Sequence, residues 1–321
     1  MSLQDRRRVR RSRTALRGVA ILLYLALLML WSVTIGVPSD PLGLFLWLWA
    51  AAIACRAGEP LRSHAAFARD WSLPVLFLLL YTYSYGLIYL LGLPVHIEPA
   101  LAVDRWLGGG EILAQRLQNA VCGGPCGPEG GTWVDAVLTT VYLSHFVAAW
   151  VLAWVLWMRD RPVWRQWMTR FVALNLTGLI GYVLFPMAPP WMASEHGLLS
   201  SPIGASPTRG WADLGLRLTR ILDGPLTNPV AAMPSLHAAT AMLIALFAIS
   251  RSTRWWRWLA LLYPALMCYA LLLYGEHYVL DEAVGLLLAL GIHRVVGYLE
   301  RRPALSAAPG AAATSAPADL R

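Results

Sequence analysis

Two histidines and an aspartate in this chain have the types and spacing of a group-transfer centre. His277 and Asp281, in Tyr274-Gly-Glu-His-Tyr-Val-Leu-Asp281, stand four residues apart. On a helix that separation puts both on one face, about 6 Å apart along the axis, so the carboxylate reaches back towards the imidazole. A histidine held this way is an oriented nucleophile, because the carboxylate fixes the tautomer and steadies the charge that forms when the ring attacks. His237, in Ala231-Ala-Met-Pro-Ser-Leu-His237, has no such carboxylate beside it. That leaves it the role of acid towards a leaving oxygen and then base towards an incoming one. Pro234-Ser235 reads as a helix start, since Pro is tolerated in a first turn and Ser caps. The free N–H groups of a helix N-terminus suit a phosphate. Phosphoryl-group transfer uses all of these parts. Two histidines and a carboxylate also suit a metal, but that reading leaves the Pro-Ser start unused; no metal and no cofactor is expected.

The elements that must carry these residues are membrane helices. Hydrophobic residues make up 58% of the 321, charged residues only 14%, and the mean hydropathy is +0.54, the composition of a polytopic membrane protein. The apolar runs predict helices at 18–37, 42–55, 72–93, 133–157, 168–187, 235–250, 258–275 and 279–299, about eight spans in an all-α bundle. The second is short enough to be re-entrant. Every one of the 26 basic residues is an arginine, and a net charge of +8 raises the question of nucleic acid. The arginines fall instead in short clusters between apolar runs, as topology determinants do. With the N-terminus cytoplasmic, 21 of the 26 lie on that side and 5 on the other. His237 and His277 then share the arginine-poor, extracytoplasmic face, each at the edge of a span, where ionisable groups are costly and usually functional.

The domain reading follows: a basic cytoplasmic tail at 1–17, two N-terminal membrane helices in 18–71, a six-helix catalytic core at 72–299, and a disordered cytoplasmic tail at 300–321. Two outer connections, 94–132 and 188–234, overhang the core. The first holds Cys122-Gly-Gly-Pro-Cys126, which reads as a small disulfide or an inert pair, with no grouped ligands for a metal. In the second, Trp211 to Leu222 has the spacing of a helix lying in the interface.

Three stretches, Leu184-Phe-Pro-Met-Ala-Pro-Pro-Trp191, Ala232-Met-Pro-Ser-Leu-His237-Ala-Ala and His277-Tyr-Val-Leu-Asp281-Glu-Ala-Val-Gly285, resemble in order and spacing the type 2 phosphatidic acid phosphatase superfamily, in its fungal inositol-phosphorylceramide synthase branch. Asp104-Arg-Trp-Leu-Gly and Tyr142-Leu-Ser-His145 are also similar to that branch. The resemblance implies a six-helix core in which His277 is the nucleophile, Asp281 its orienting partner and His237 the proton donor. It implies that Pro190 and Trp191 shape the lip of the site and that His145 belongs to it, although a histidine in an apolar helix is also an ordinary packing residue. Phosphatases of this superfamily carry a Lys, an Arg-Pro and a Ser-Arg pair as a phosphate clamp. Here Arg161-Pro162 falls on the cytoplasmic face and Leu271-Leu-Leu-Tyr-Gly-Glu276 has no Ser-Arg. Arg209, Arg217 and Arg220 are the candidate replacements, followed by Arg105 and Arg116; each is equally suited to lipid headgroups. Pro190, Trp191, Ser235, His145, Arg209, Arg217 and Arg220 are thus the expected substrate-binding set.

The implied function is a membrane phosphotransferase that moves a phosphorylated head group, phosphoinositol by resemblance, from a phospholipid donor to a lipid or glycolipid hydroxyl through a phosphohistidine. Its partners are the bilayer and those two lipids, its place is the plasma membrane, and nucleic acid is not among its ligands. The alternatives are a lipid phosphate or polyprenyl diphosphate phosphatase, with water as acceptor, and a non-catalytic transporter or scaffold.

Overall fold

A computed structural model describes residues 3–212, 218–219 and 228–301. Arg217, Arg220 and the C-terminal tail from residue 302 lie outside the described residues. The protein is a bundle of apolar helices: α1 (Leu3–Thr34), α2 (Pro41–Cys55), α3 (Leu61–Leu90), α4 (Glu98–Leu107), α5 (Leu113–Cys122), α6 (Trp133–Ser144), α7 (Ala148–Arg159), α8 (Arg161–Leu184), α9 (Pro190–Glu195), α10 (Leu236–Ser250), a 3-10 turn (Trp255–Leu261) running into α11 (Leu262–Leu273), and α12 (Val279–Arg301). Three stretches, Ser12–Thr34, Arg161–Leu184 and Trp255–Leu273, are each long and apolar enough to cross a bilayer. The bent pair α6–α7 makes a fourth if counted as one span. The chain is an integral membrane protein.

Each of the eight expected helices has a counterpart, although α3 and α8 start eleven and seven residues earlier than expected and other differences are larger. α1 begins at Leu3, fifteen residues before the expected start, because arginine is a good helix former and the basic segment simply extends the span. The expected helix at 133–157 is broken between Ser144 and Ala148, where α6 and α7 meet at 61°. In the outer connection, Leu218–Thr219 is a short strand pairing in parallel with Val37–Pro38, where a helix was expected. Most of the stretch expected as a helix, residues 213–217 and 220–222, lies outside the described residues. α2 and α10 have only 15 residues each, about 22 Å of rise against ~30 Å of hydrocarbon.

Aromatic packing holds the lower half together. Phe67 and Trp71 of α3 stack at 4.7 Å, and Trp157 of α7 meets Phe67 edge-on at 4.9 Å. The guanidinium of Arg161 lies 4.0 Å over Trp157 and pairs with Asp70. Arg161-Pro162 is therefore spent at the end of α7 remote from His145, away from the catalytic end.

The upper half is fixed by close backbone approach. α10 packs along α12, and their crossing is set at Gly285, where a Cβ would stand 2.3 Å from the carbonyl oxygen of Ser235. α8 makes room for the same stretch with Gly178 and Gly181, whose Cβ positions would meet Leu236 at 2.7 Å and Pro234 at 2.6 Å. Three small residues on two helices thus receive the start of α10.

Candidate active site

His237 is placed by the first turn of α10. Ser235 caps that helix, its hydroxyl accepting from the Ala238 N–H at 3.3 Å. The Ser235 N–H donates to the Asp281 carbonyl at 3.0 Å, so the backbone two residues before His237 is bonded to the residue that faces His277. Ser235 is fully buried and does not reach the cavity. Ser235, expected among the substrate-binding residues, is not among those that line the cavity described below.

His277 is placed by the turn between α11 and α12. Gly275 closes α11 with φ +67, a left-handed conformation that side chains rarely adopt. The turn is tied on every side. Gln118 of α5 donates to the Leu273 carbonyl at 2.8 Å, the Trp191 N–H donates to the Gly275 carbonyl at 3.1 Å, and the Tyr274 hydroxyl is bonded to Thr139 at 2.8 Å. Two carboxylates then cap α12. Asp281 accepts from the Tyr278 N–H at 2.9 Å, and Asp104 of α4 accepts from the Val279 N–H at 2.9 Å while its other oxygen takes the Leu113 N–H at 3.3 Å. Burial pushes the Asp104 carboxyl up, against these two donors, and the nearby Asp281 pushes it the same way.

The result brings the predicted residues together. His277 Nδ1 faces Asp281 Oδ2 at 3.7 Å, longer than a formed hydrogen bond but of the kind that tightens as charge develops on the ring. This turns Nε2 towards the cavity. The His237 and His277 rings lie 5.8 Å apart between centroids, and His145, at the break after α6, lies 4.0 Å from His237. Tyr142 stacks on His237 at 4.9 Å from the side of α6. All three imidazoles line one cavity of about 350 Å³, within the size range of small-molecule sites.

The remaining expectations divide. Trp191 lines this cavity beside Pro189, whereas Pro190 is buried behind it at the start of α9. Arg209 is consumed elsewhere: Nε donates to Asp135 at 3.0 Å, and the two terminal nitrogens donate to the carbonyls of Gly127, Glu129 and Gly130. It clamps the loop after the Cys122–Cys126 disulfide onto α6 with four of its five N–H groups, and it does not line the cavity. Arg105 donates to the Leu198 carbonyl. Among the described residues that line the cavity there is no arginine.

Two residues of the site escaped the sequence reading. Asp104 was visible only as part of a resembling motif, and its tie to Val279 spans 175 positions. Glu276 precedes His277 and lines the cavity; the signal was a carboxylate in an apolar segment, masked by the histidine next to it.

Comparison with known proteins gives the family. The profile of the PAP2 superfamily matches residues 129–295, just over half of the chain, and includes His145, His237, His277 and Asp281. The chain is similar to a phosphoinositol dihydroceramide synthase of Bacteroides thetaiotaomicron, 28% identical over 163 residues, which are 47% of this chain and 53% of that one. It is also similar to the catalytic subunit of an inositol phosphorylceramide synthase of Schizosaccharomyces pombe, 29% identical over 154 residues, 46% of this chain and 36% of that one. The match thus spans about half the length of the first relative and about a third of the second. No solved structure matches the chain significantly. With the ordered motifs, the paired helices and the profile in agreement, the chain belongs to the PAP2 superfamily.

Proposed function

We propose that the protein is a membrane phosphotransferase that moves a phosphorylated head group, phosphoinositol, from a phospholipid to the hydroxyl of a lipid or glycolipid. The observation that carries this is His277, turned by Asp281 to present Nε2 to the cavity that His237 also lines. The names of the two relatives support the choice of head group.

The chemistry proceeds in two halves. His277 Nε2 attacks phosphorus and forms an N–P bond while the bond from phosphorus to the diacylglycerol oxygen breaks; His237 gives that oxygen a proton. In the second half the acceptor hydroxyl gives its proton to His237 as its oxygen attacks phosphorus, and the N–P bond breaks to release His277. Asp281 holds the ring of His277 in one tautomer in both halves. The N–H groups at the start of α10 stabilise the charge on the phosphoryl oxygens. His145 packs against His237 and keeps its ring in place. The active site faces the extracytoplasmic side, with both termini in the cytoplasm and the plasma membrane as the host bilayer; the arginine distribution supports this arrangement.

The test is incubation of the purified protein in liposomes with phosphatidylinositol labelled in the head group, with and without a lipid extract as acceptor. A new labelled lipid, absent with His277→Ala, is the expected result. A water-soluble labelled product alone means hydrolysis, and full activity of His277→Ala overturns the mechanism.

A further inference from the structure

The cavity carries a carboxylate that the transfer chemistry does not use. Glu276 sits one residue before the nucleophile, in the turn that Gly275 bends and three other contacts hold. Its N–H donates to the Leu271 carbonyl at 3.0 Å, which anchors the backbone. Its side chain lines the cavity with His237 and His277 and has no hydrogen-bond partner among the described residues. The wall of the cavity is mixed: aromatic side chains such as Tyr142, Trp150 and Phe171 stand with the neutral polar Ser39, Thr82 and Asn175, and a second carboxylate, Asp40, caps α2 at its edge. No arginine lines the cavity among the described residues.

This wall is ill-suited to a bare phosphate monoester. A carboxylate in the same cavity as His277 repels a dianion in a site of low dielectric. It is well suited to hydroxyl groups, since a carboxyl oxygen accepts hydrogen bonds from them, most strongly when the group is ionised. Resting on the transfer reading above, we propose that Glu276 selects the donor by accepting hydrogen bonds from the hydroxyls of a polyol head group. The residue is specificity-determining: it favours phosphodiesters whose head group is neutral and hydroxylated, and disfavours phosphate monoesters such as phosphatidic acid.

Two measurements test it. The first is turnover of phosphatidylinositol, phosphatidylglycerol and phosphatidic acid by wild type, Glu276→Gln and Glu276→Ala. Loss of a hydrogen bond to a charged group corresponds to a ~10–100-fold loss, so Glu276→Ala should lower kcat/KM for phosphatidylinositol by that factor, chiefly through KM. The same variant should leave phosphatidic acid unchanged or improved, and Glu276→Gln should fall between. A merely structural role would lower all three donors together, which overturns the proposal. The second is calorimetric binding of glycerophosphoinositol and glycerol 3-phosphate, which needs no turnover. Wild type should prefer the former and Glu276→Ala should lose the preference; equal affinity in wild type overturns the proposal. A wild type that binds with this preference but transfers nothing refutes the transfer reading alone.

Discussion

Gly285→Ala is a one-methyl perturbation whose effect can be worked from the structure. The new Cβ would stand 2.3 Å from the carbonyl oxygen of Ser235, where ordinary contact begins at 3.4 Å. α10 and α12 must part by about 1 Å to accept it, and overpacking of this kind costs ~1–3 kcal/mol. The displacement falls where the Ser235 N–H bonds the Asp281 carbonyl, so it changes the separation of His237 and His277 directly. A misplacement of 1 Å at a reacting centre costs on the order of 10²-fold in rate, about 2.7 kcal/mol. The assay is kcat with labelled phosphatidylinositol, alongside thermal inactivation in detergent. Gly291→Ala is the control, on the same helix but with nothing within 4 Å of the added Cβ; it should be neutral or slightly stabilising. If Gly285→Ala keeps kcat within threefold of wild type, the crossing of these helices does not set the catalytic spacing.

Asp104→Asn keeps one of the two capping bonds to Val279 and Leu113 and loses the other, because the amide nitrogen cannot accept. It should cost about 1–3 kcal/mol, seen as faster thermal inactivation; unchanged inactivation would mean the cap carries no weight. Burial pushes the Glu276 carboxyl up to about 7, against the influence of His277. A folded-state value above the unfolded one gives stability that is present at low pH and lost as pH rises towards 7. Glu276→Gln should therefore lose less stability than wild type between pH 5 and pH 8, and a parallel loss would contradict the burial. In a background with Cys55 and Cys268 replaced by Ser, a cysteine at the exposed Glu195 should react with an impermeant reagent in intact cells, and one at the exposed Thr253 should not. The reverse pattern inverts the proposed topology.

Much of this was legible because hydropathy and i, i+4 spacing are local signals. The runs that became α2, α8, α10 and α12 are apolar and bounded by Pro, Gly or Arg, and His277 with Asp281 needs only one helical turn to meet. The break after Ser144 was not legible. The run from Trp133 to Trp157 is mostly apolar with no Pro or Gly inside it, and the bend comes from three i→i+3 bonds at His145, Phe146 and Val147, which tertiary packing selects. That break is what turns His145 from a packing residue in a straight helix into a neighbour of His237. The fate of Arg209 was equally hidden, since its partners are Asp135, 74 positions away, and three main-chain carbonyls with no sequence signature. Glu276 was read past because the carboxylate four residues after His277 already explained the histidine.

The pairing of α10 with α12 has a consequence for how the protein is made. The proposed nucleophile His277, its partner Asp281 and the glycine that seats Ser235 all belong to α12 and the turn before it. While the earlier spans enter the membrane, the cavity walls from α2, α3, α6 and α8 come into being without any means of cleaving the lipids around them. Only when α12 threads and locks against Ser235 does the chain acquire its chemistry. On the proposed mechanism a chain cut before α12 lacks Asp281 and the seat for Ser235, so docking of α12 is the step that completes the site.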